Sequence, residues 1–213
     1  MKFDNLNVAV ILNGPPGCGK DTLANLQAKK DSIIKRQFKD ALYAHTAKYF
    51  NVGLDEFIHF ASDRVLKDSL SLSGLHGRTP RQALIHVSED IYKPRYGSDY
   101  FGKVEADNIR ELKGRMDSSF TVIYPDGGFT DEVVAIEPEF DVIVIVRLHR
   151  DGFDFSNDSR DYIYLPDNPK RTSIDLYLTD GQIEHNSCEL YLDVADKVCE
   201  KFNGVINDQI FTN

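Results

Sequence analysis

Asn7 to Leu12 is a run dominated by branched apolar residues, halted by Gly14-Pro15-Pro16-Gly17, and it predicts a buried strand that ends in a turn. From Lys20 to Lys30, Leu23 and Leu26 recur among polar neighbours at a spacing that predicts a helix. Ile33 to Phe38 reads as a short strand, and Asp40 is placed to cap a helix carrying Leu42, Tyr49 and Phe50 on one side. Leu54 to Leu72 is helical in pieces, with a break at Ser73-Gly74 and Gly77. The clearest helix start is Thr79-Pro80-Arg81-Gln82, where a hydroxyl at the N-cap, proline at the first helical position and glutamine at the third precede Leu84, Val87 and Ile91.

Ser98 to Lys113 predicts a further helix that buries Phe101, Val104, Ile109 and Leu112. Phe120 to Tyr124 predicts a strand closed by Pro125-Asp126-Gly127-Gly128, and Asp141 to Val146 one buried on both faces. Ile174, Leu176 and Leu178 alternate as in a last strand, while Leu190, Val194, Val198 and Phe202 mark a closing amphipathic helix. Strands alternating with helices imply a parallel sheet between helical layers, so the expected fold is a three-layer α/β architecture. No repeat, low-complexity tract or linker divides the 213 residues, and one domain is the expectation.

A composition of 41% hydrophobic and 28% charged residues argues against wholesale disorder. The net charge of -9 opposes binding to polymeric nucleic acid or an anionic membrane, and a small anionic substrate then needs a local cluster of Lys and Arg. Cys18, Cys188 and Cys199 form no C-x-x-C pair and have no histidine at zinc spacing, which fits a reducing compartment. The apolar runs are only strand-sized and no leader pattern opens the chain, so a soluble cytoplasmic protein is expected. A homodimer stays open.

Chemistry enters at Gly14-Pro15-Pro16-Gly17-Cys18-Gly19-Lys20-Asp21-Thr22, which matches G-x-x-x-x-G-K between a predicted strand and a predicted helix. Such a P-loop curls its backbone N–H groups around an oxyanion, and the adjoining helix adds the positive end of its dipole. Gly14, Gly17, Cys18, Gly19, Lys20, Asp21 and Thr22 are therefore candidate ATP-binding residues, with Lys20 serving the β- and γ-phosphates. The residue after the lysine is Asp21 instead of Ser or Thr. Asp21 then holds magnesium through water, with Thr22 on the α- or β-phosphate, and Asp126, at the end of a buried strand, is the second candidate metal residue.

Arg78 and Arg81 flank a helix N-cap, where cations are unfavourable unless an anion offsets them; they are candidates for a substrate phosphate, with Lys93 and Arg95 completing the site. Arg147 and Arg150 open a polar stretch, about 147–172, that also holds Arg160, Lys170 and Arg171 and reads as a lid closing over phosphates. Lys20, Arg81, Arg147 and Arg150 are the candidate catalytic cations.

These segments, with Phe38-Lys39-Asp40-Ala41-Leu42, the Phe129 and Glu132 that follow Asp126, and Thr179-Asp180-Gly181, resemble the deoxynucleoside monophosphate kinases of tailed bacteriophages, within the wider nucleoside monophosphate kinase-like P-loop proteins. The resemblance implies a P-loop NTPase fold with a helical acceptor-binding insertion at about 40–113. It also implies ATP- and magnesium-dependent conversion of dNMP to dNDP in an infected bacterium, and a substrate-binding role for Lys39. The arginine common just after the aspartate in that family is replaced here by Gly127 and Gly128, which weakens the transfer of a substrate-binding role to this loop. The base stays open among dGMP, dTMP and dCMP. A kinase for another small acceptor such as dephospho-coenzyme A, a nucleotide-binding module without catalysis, and a structural protein with a vestigial loop are the alternatives. The absence of N-K-x-D argues against a GTPase.

Overall fold

The computed structural model of the chain describes every residue except 1, 2, 4, 31, 64, 157, 159, 212 and 213, and the backbone alone over 202–211. Strands β1 (Val8–Asn13), β2 (Ile33–Lys35), β3 (Thr121–Tyr124), β4 (Val142–His149) and β5 (Arg171–Tyr177) form a parallel sheet in the order β2-β3-β1-β4-β5. The central β1 sets Val8 beside Thr121 of β3 and Val142 of β4. Every residue of β1 is buried, which is why its sequence is a continuous apolar run without the alternation of a half-exposed strand.

The helices are α1 (Lys20–Gln27), α2 (Lys39–Phe50), α3 (Leu54–Ser62), α4 (Leu66–Ser69), α5 (Pro80–Ile85), α6 (Lys93–Tyr96), α7 (Tyr100–Arg115), α8 (Thr130–Ile136) and α9 (Ile183–Phe211). α1 and α9 pack Leu23, Leu190, Val194 and Val198 on Val8, Val10, Leu12 and Val144 of the sheet. The β1-α1-β2 connection moves one way across the sheet, and the path from β3 through α8 to β4 moves the other way. Right-handed crossovers then place α1 and α8 on opposite faces, which opens a crevice beyond the carboxyl ends of β1 and β3. The fold is thus an α/β fold with a five-stranded parallel sheet flanked by helices.

The chain divides into two compact units, one of residues 1–37 and 106–213, the other of residues 38–105. The second has its own core, built from Tyr43, Ala47, Phe50, Phe57, Leu75, Ala83 and Val87. The helical stretch expected over 40–113 runs on into α7, whose second half belongs to the sheet-bearing unit. At Thr79 the predicted capping box is present: Thr79 Oγ1 accepts from Gln82 N–H at 3.3 Å, and Gln82 Oε1 accepts from Thr79 N–H at 2.9 Å. The helical path continues beyond α5 through a π-helical turn, His86–Tyr92, into α6. Pro94 has no N–H to give Asp90 and its ring crowds that carbonyl, which accounts for the widened turn just before it.

Several local expectations are corrected. Asp40 lies in the first turn of α2, not at its cap, where its charge still suits the helix dipole. Tyr49 is exposed and Tyr43 is buried in its place. In α1, Gln27 is fully buried because its amide donates to Ser187 O and Oγ at 2.6 and 2.8 Å, while Leu26 is only half-buried. β2 stops at Lys35, β4 runs on to His149, and α8 follows the Asp126 turn where no helix was expected. Leu190, Val194 and Val198 are buried as expected, and the side chain of Phe202 lies outside the described residues. No helix among the described residues is long and apolar enough to cross a membrane.

Candidate functional site

The G-x-x-x-x-G-K loop joins β1 to α1 at the crevice. Gly19 sits at φ 113°, a left-handed conformation costly to any side chain, and directs the chain into α1. The first intrahelical bond runs from Leu23 N–H to Gly19 O at 3.0 Å, so the amides from Gly19 to Thr22 have no partner within the helix. Lys20 is 9% exposed and folds back into the loop, donating from Nζ to Gly14 O at 2.6 Å and Pro15 O at 2.7 Å. Burial pushes its pKa down, against the pull of Cys18, Asp21 and Asp158, and Arg160 pushes the same way as burial. Among the described residues Lys20 has no carboxylate ion-pair partner.

A second cation reaches this place from far along the chain. Arg160 lies along Gly128, where a Cβ would overlap Arg160 Cδ, and it is close enough to Lys20 and Asp126 to interact electrostatically. Asp158 grips it bidentately, Nε to Oδ1 at 2.8 Å and Nη2 to Oδ2 at 2.6 Å, and this hydrogen bonding holds the Asp158 pKa at about 2. Asn13, the last residue of β1 and fully buried, ties the three pieces together. Its Nδ2 donates to Gly127 O and Asp161 O, both at 3.2 Å, and its Oδ1 accepts from Ile163 N–H at 2.8 Å. The sequence does not single out Asn13 or Asp158, and Arg160 reads there as one cation of the polar stretch among several. The one signal was a polar residue ending an apolar strand just before the glycines. Packing holds position 127 to glycine: a side chain there would overlap Ile11 Cγ2 in the sheet.

Arg150 lines a partly open cavity of about 120 Å³ with Cys18, Gly19, Thr22, Leu178, Thr179 and Asn186. Its Nε donates to Asp180 Oδ1 at 2.7 Å and its guanidinium lies 4.7 Å from the Phe153 ring centre. The Thr179-Asp180-Gly181 turn noted in the sequence is thus the far wall of a space beside the loop.

Arg147 does not join this group. It belongs to β4, and all its nitrogens are taken: Nε and Nη2 donate to Asp175 at 2.8 and 2.7 Å, and Nη1 to Ile163 O at 3.3 Å. Arg171, at the other end of the expected lid, is likewise a β5 residue paired with Glu137. Among the described residues of the expected lid, those between Arg150 and Lys170 lie outside the sheet. Asp175 has its pKa lowered to about 2 by hydrogen bonding to Arg147, then to His149. This stabilisation is fully present above the unfolded carboxylate pKa and is lost as pH falls from about 4 toward 2. With the Asp175 side chain 38% exposed, solvent screening leaves about 1 kcal/mol. Asp175→Asn should lower stability by about that amount at pH 7 and flatten the loss between pH 4 and 2, as read from urea midpoints across pH.

In the other unit, Arg78 lines a shallow concavity with His76, Gln82, Ile85, His86 and Asp90, its guanidinium 5.9 Å from the Phe50 ring. Arg81 pairs with Asp68. Helix-start amides contribute little there, since Pro80 has no N–H and Thr79 takes that of Gln82. Lys93 pairs with Glu89 at 2.6 Å, and Arg95 lies 5.4 Å from the Tyr96 ring. Arg81 and Lys93 share one helical path at a separation of ~18 Å along its axis, so one phosphate does not bind both. Lys39 opens α2 with its ammonium 5.8 Å from the Tyr43 ring.

For magnesium, the described residues hold no cluster of three acidic, His or Cys side chains. Asp21 is exposed and paired with Lys35 at 3.2 Å, which leaves room for water between its carboxylate and an ion. Asp126, half-buried at the crevice, fits an ion that arrives with phosphates and keeps most of its waters.

No family model matches the chain, and no curated protein matches it. Among solved structures, one described as APE1195 is 16% identical over 92% of this chain and 98% of its own, at a TM-score of 0.44. Another, described as a plasmid partition protein of Borrelia burgdorferi B31 bound to AMPPNP, is 11% identical over 88% and 98%, at a TM-score of 0.35. At these scores neither neighbour carries an argument about this chain.

Proposed function

We propose that the chain is a P-loop kinase that moves the γ-phosphoryl group of ATP onto a deoxynucleoside monophosphate, giving ADP and the dNDP. The observation that supports this best is the buried Lys20 inside a glycine loop, without a carboxylate ion pair among the described residues, and with Arg160 from a distant segment near enough to repel it. An ammonium buried among carbonyls is a poor stability device, and two cations held together repel; a polyphosphate resolves both costs.

In this reading the amides from Gly19 to Thr22 and Lys20 hold the donor phosphates, Arg160 meets the terminal one, and Arg150 borders the space for the base. Arg78 and Arg81 hold the acceptor's phosphate, and Asp126 holds magnesium, which screens charge when bound. Transfer is in-line through a loose transition state and needs no covalent enzyme intermediate, so positioning and charge stabilisation supply the catalysis. The deoxynucleotide acceptor rests on the family resemblance of the Arg78 to Gln82 segment and of the loop.

The test is a panel. Pure protein with Mg-ATP is offered each dNMP, each NMP and dephospho-coenzyme A in turn, and ADP is followed by a coupled assay. ADP formation should depend on a dNMP, and Arg81→Ala should raise the acceptor KM about tenfold or more with the ATP KM little changed. ATP binding with no acceptor-dependent turnover would sink the kinase reading, and turnover confined to dephospho-coenzyme A would reassign the acceptor.

A further inference from the structure

We propose that Asp158 is a positioning residue that keeps the Arg160 guanidinium aimed at the terminal phosphate of a triphosphate bound in the loop. This rests on the reading of Gly14 to Thr22 as a nucleotide loop. Arg160 shows Asp158 one edge of its fork, Nε and Nη2, and among the described residues its Nη1 makes no hydrogen bond. Arg160 N–H also donates to Asp158 Oδ1 at 3.0 Å, so backbone and side chain of the arginine are fixed by one carboxylate. The stem of Arg160 runs along Gly128, where no side chain fits, and the same segment is anchored through Asp161 O and Ile163 N–H to Asn13, immediately before the loop.

Electrostatics makes the carboxylate necessary. Lys20 and Arg160 are near enough to repel, and Asp158 interacts favourably with both, so it acts as the counter-ion that lets two cations wait in one place before a triphosphate arrives. A guanidinium already held in its productive geometry loses less freedom on meeting phosphate than a loose one.

Because Arg160 would meet only the terminal phosphate, the readout is the ratio of ATP to ADP affinity, measured by titration calorimetry with Mg-ATP and Mg-ADP. Arg160→Ala should lower that ratio about tenfold. Asp158→Asn should lower it severalfold, and should change it no further in the Arg160→Ala background. Gly128→Ala, which displaces the arginine while leaving both charges in place, should reproduce the loss. Wild-type protein that binds neither nucleotide overturns the function proposed above and this inference with it. A wild type that prefers ATP, with an Asp158→Asn variant whose ratio is unchanged or raised, overturns this inference alone. Equal weakening of ATP and ADP in Asp158→Asn also overturns it, because a merely structural carboxylate predicts that result.

Discussion

Replacing Lys20 by methionine should lower turnover by about 100-fold or more while leaving the folded state as stable as before, or more so. The two halves of this outcome come from one geometry. Lys20 is 9% exposed and its ammonium donates to Gly14 O and Pro15 O, with Cys18 Sγ at 3.9 Å; among the described residues no carboxylate pairs with it directly, and the attraction of Asp21 and Asp158 does not outweigh the loss of water. Its lowered pKa, caused first by burial, says that the folded protein disfavours the charge. Folding therefore gains nothing decisive from the ammonium, and an apolar chain of similar length relieves the desolvation at the cost of two hydrogen bonds. In the proposed reading, catalysis loses a charge that meets the donor phosphates, the kind of preorganised donor whose removal costs two to three orders of magnitude in other enzymes. Turnover is read in the coupled assay, and stability in urea at the same pH. A loss of stability well above ~1 kcal/mol with turnover intact would make Lys20 a structural residue and leave the loop without its central role.

How far the sequence speaks for this site depends on the range of the contacts. The Gly14 to Thr22 loop is read from contiguous residues because its glycines and lysine are neighbours in sequence, and the capping box at Thr79 is equally local. The order of strands and helices follows from periodicity, and the crevice follows from their order once crossovers are right-handed. Side-chain partners between distant segments leave no periodic trace. Arg147 reads as a lid cation because it follows an apolar run, yet its strand continues to His149 and its partner Asp175 comes from the next strand. Arg160 reads as one cation among several because what singles it out is a glycine 32 positions earlier, at 128. Lys93 and Arg95 look close to Arg81 in sequence, and a helical path with a π-helical turn separates them. The burial of Gln27 is also unreadable from α1 alone, since Ser187, which accepts from its Nε2, comes from α9.

Asn13→Ala should be the most destabilising single change near the crevice, costing about 3–5 kcal/mol, because three polar groups, two of them in buried hydrogen bonds and one part-buried, lose their partner together. The lost bonds are those to Gly127 O and Asp161 O and that from Ile163 N–H, drawn from the turn after β3 and from the segment that carries Arg160. A fully buried site gives water little room to replace them. Asn13→Asp keeps an acceptor for Ile163 N–H but sets a carboxylate against two carbonyls, so it should be at least as damaging at neutral pH. The urea midpoint should fall in both variants with the slope unchanged. At temperatures where the Asn13→Ala protein is still folded, its preference for ATP over ADP should fall too, since Arg160 rides on the released segment. A cost below ~1 kcal/mol would mean that the segment holds its place without the asparagine, and the ATP preference of that variant should then match the wild type.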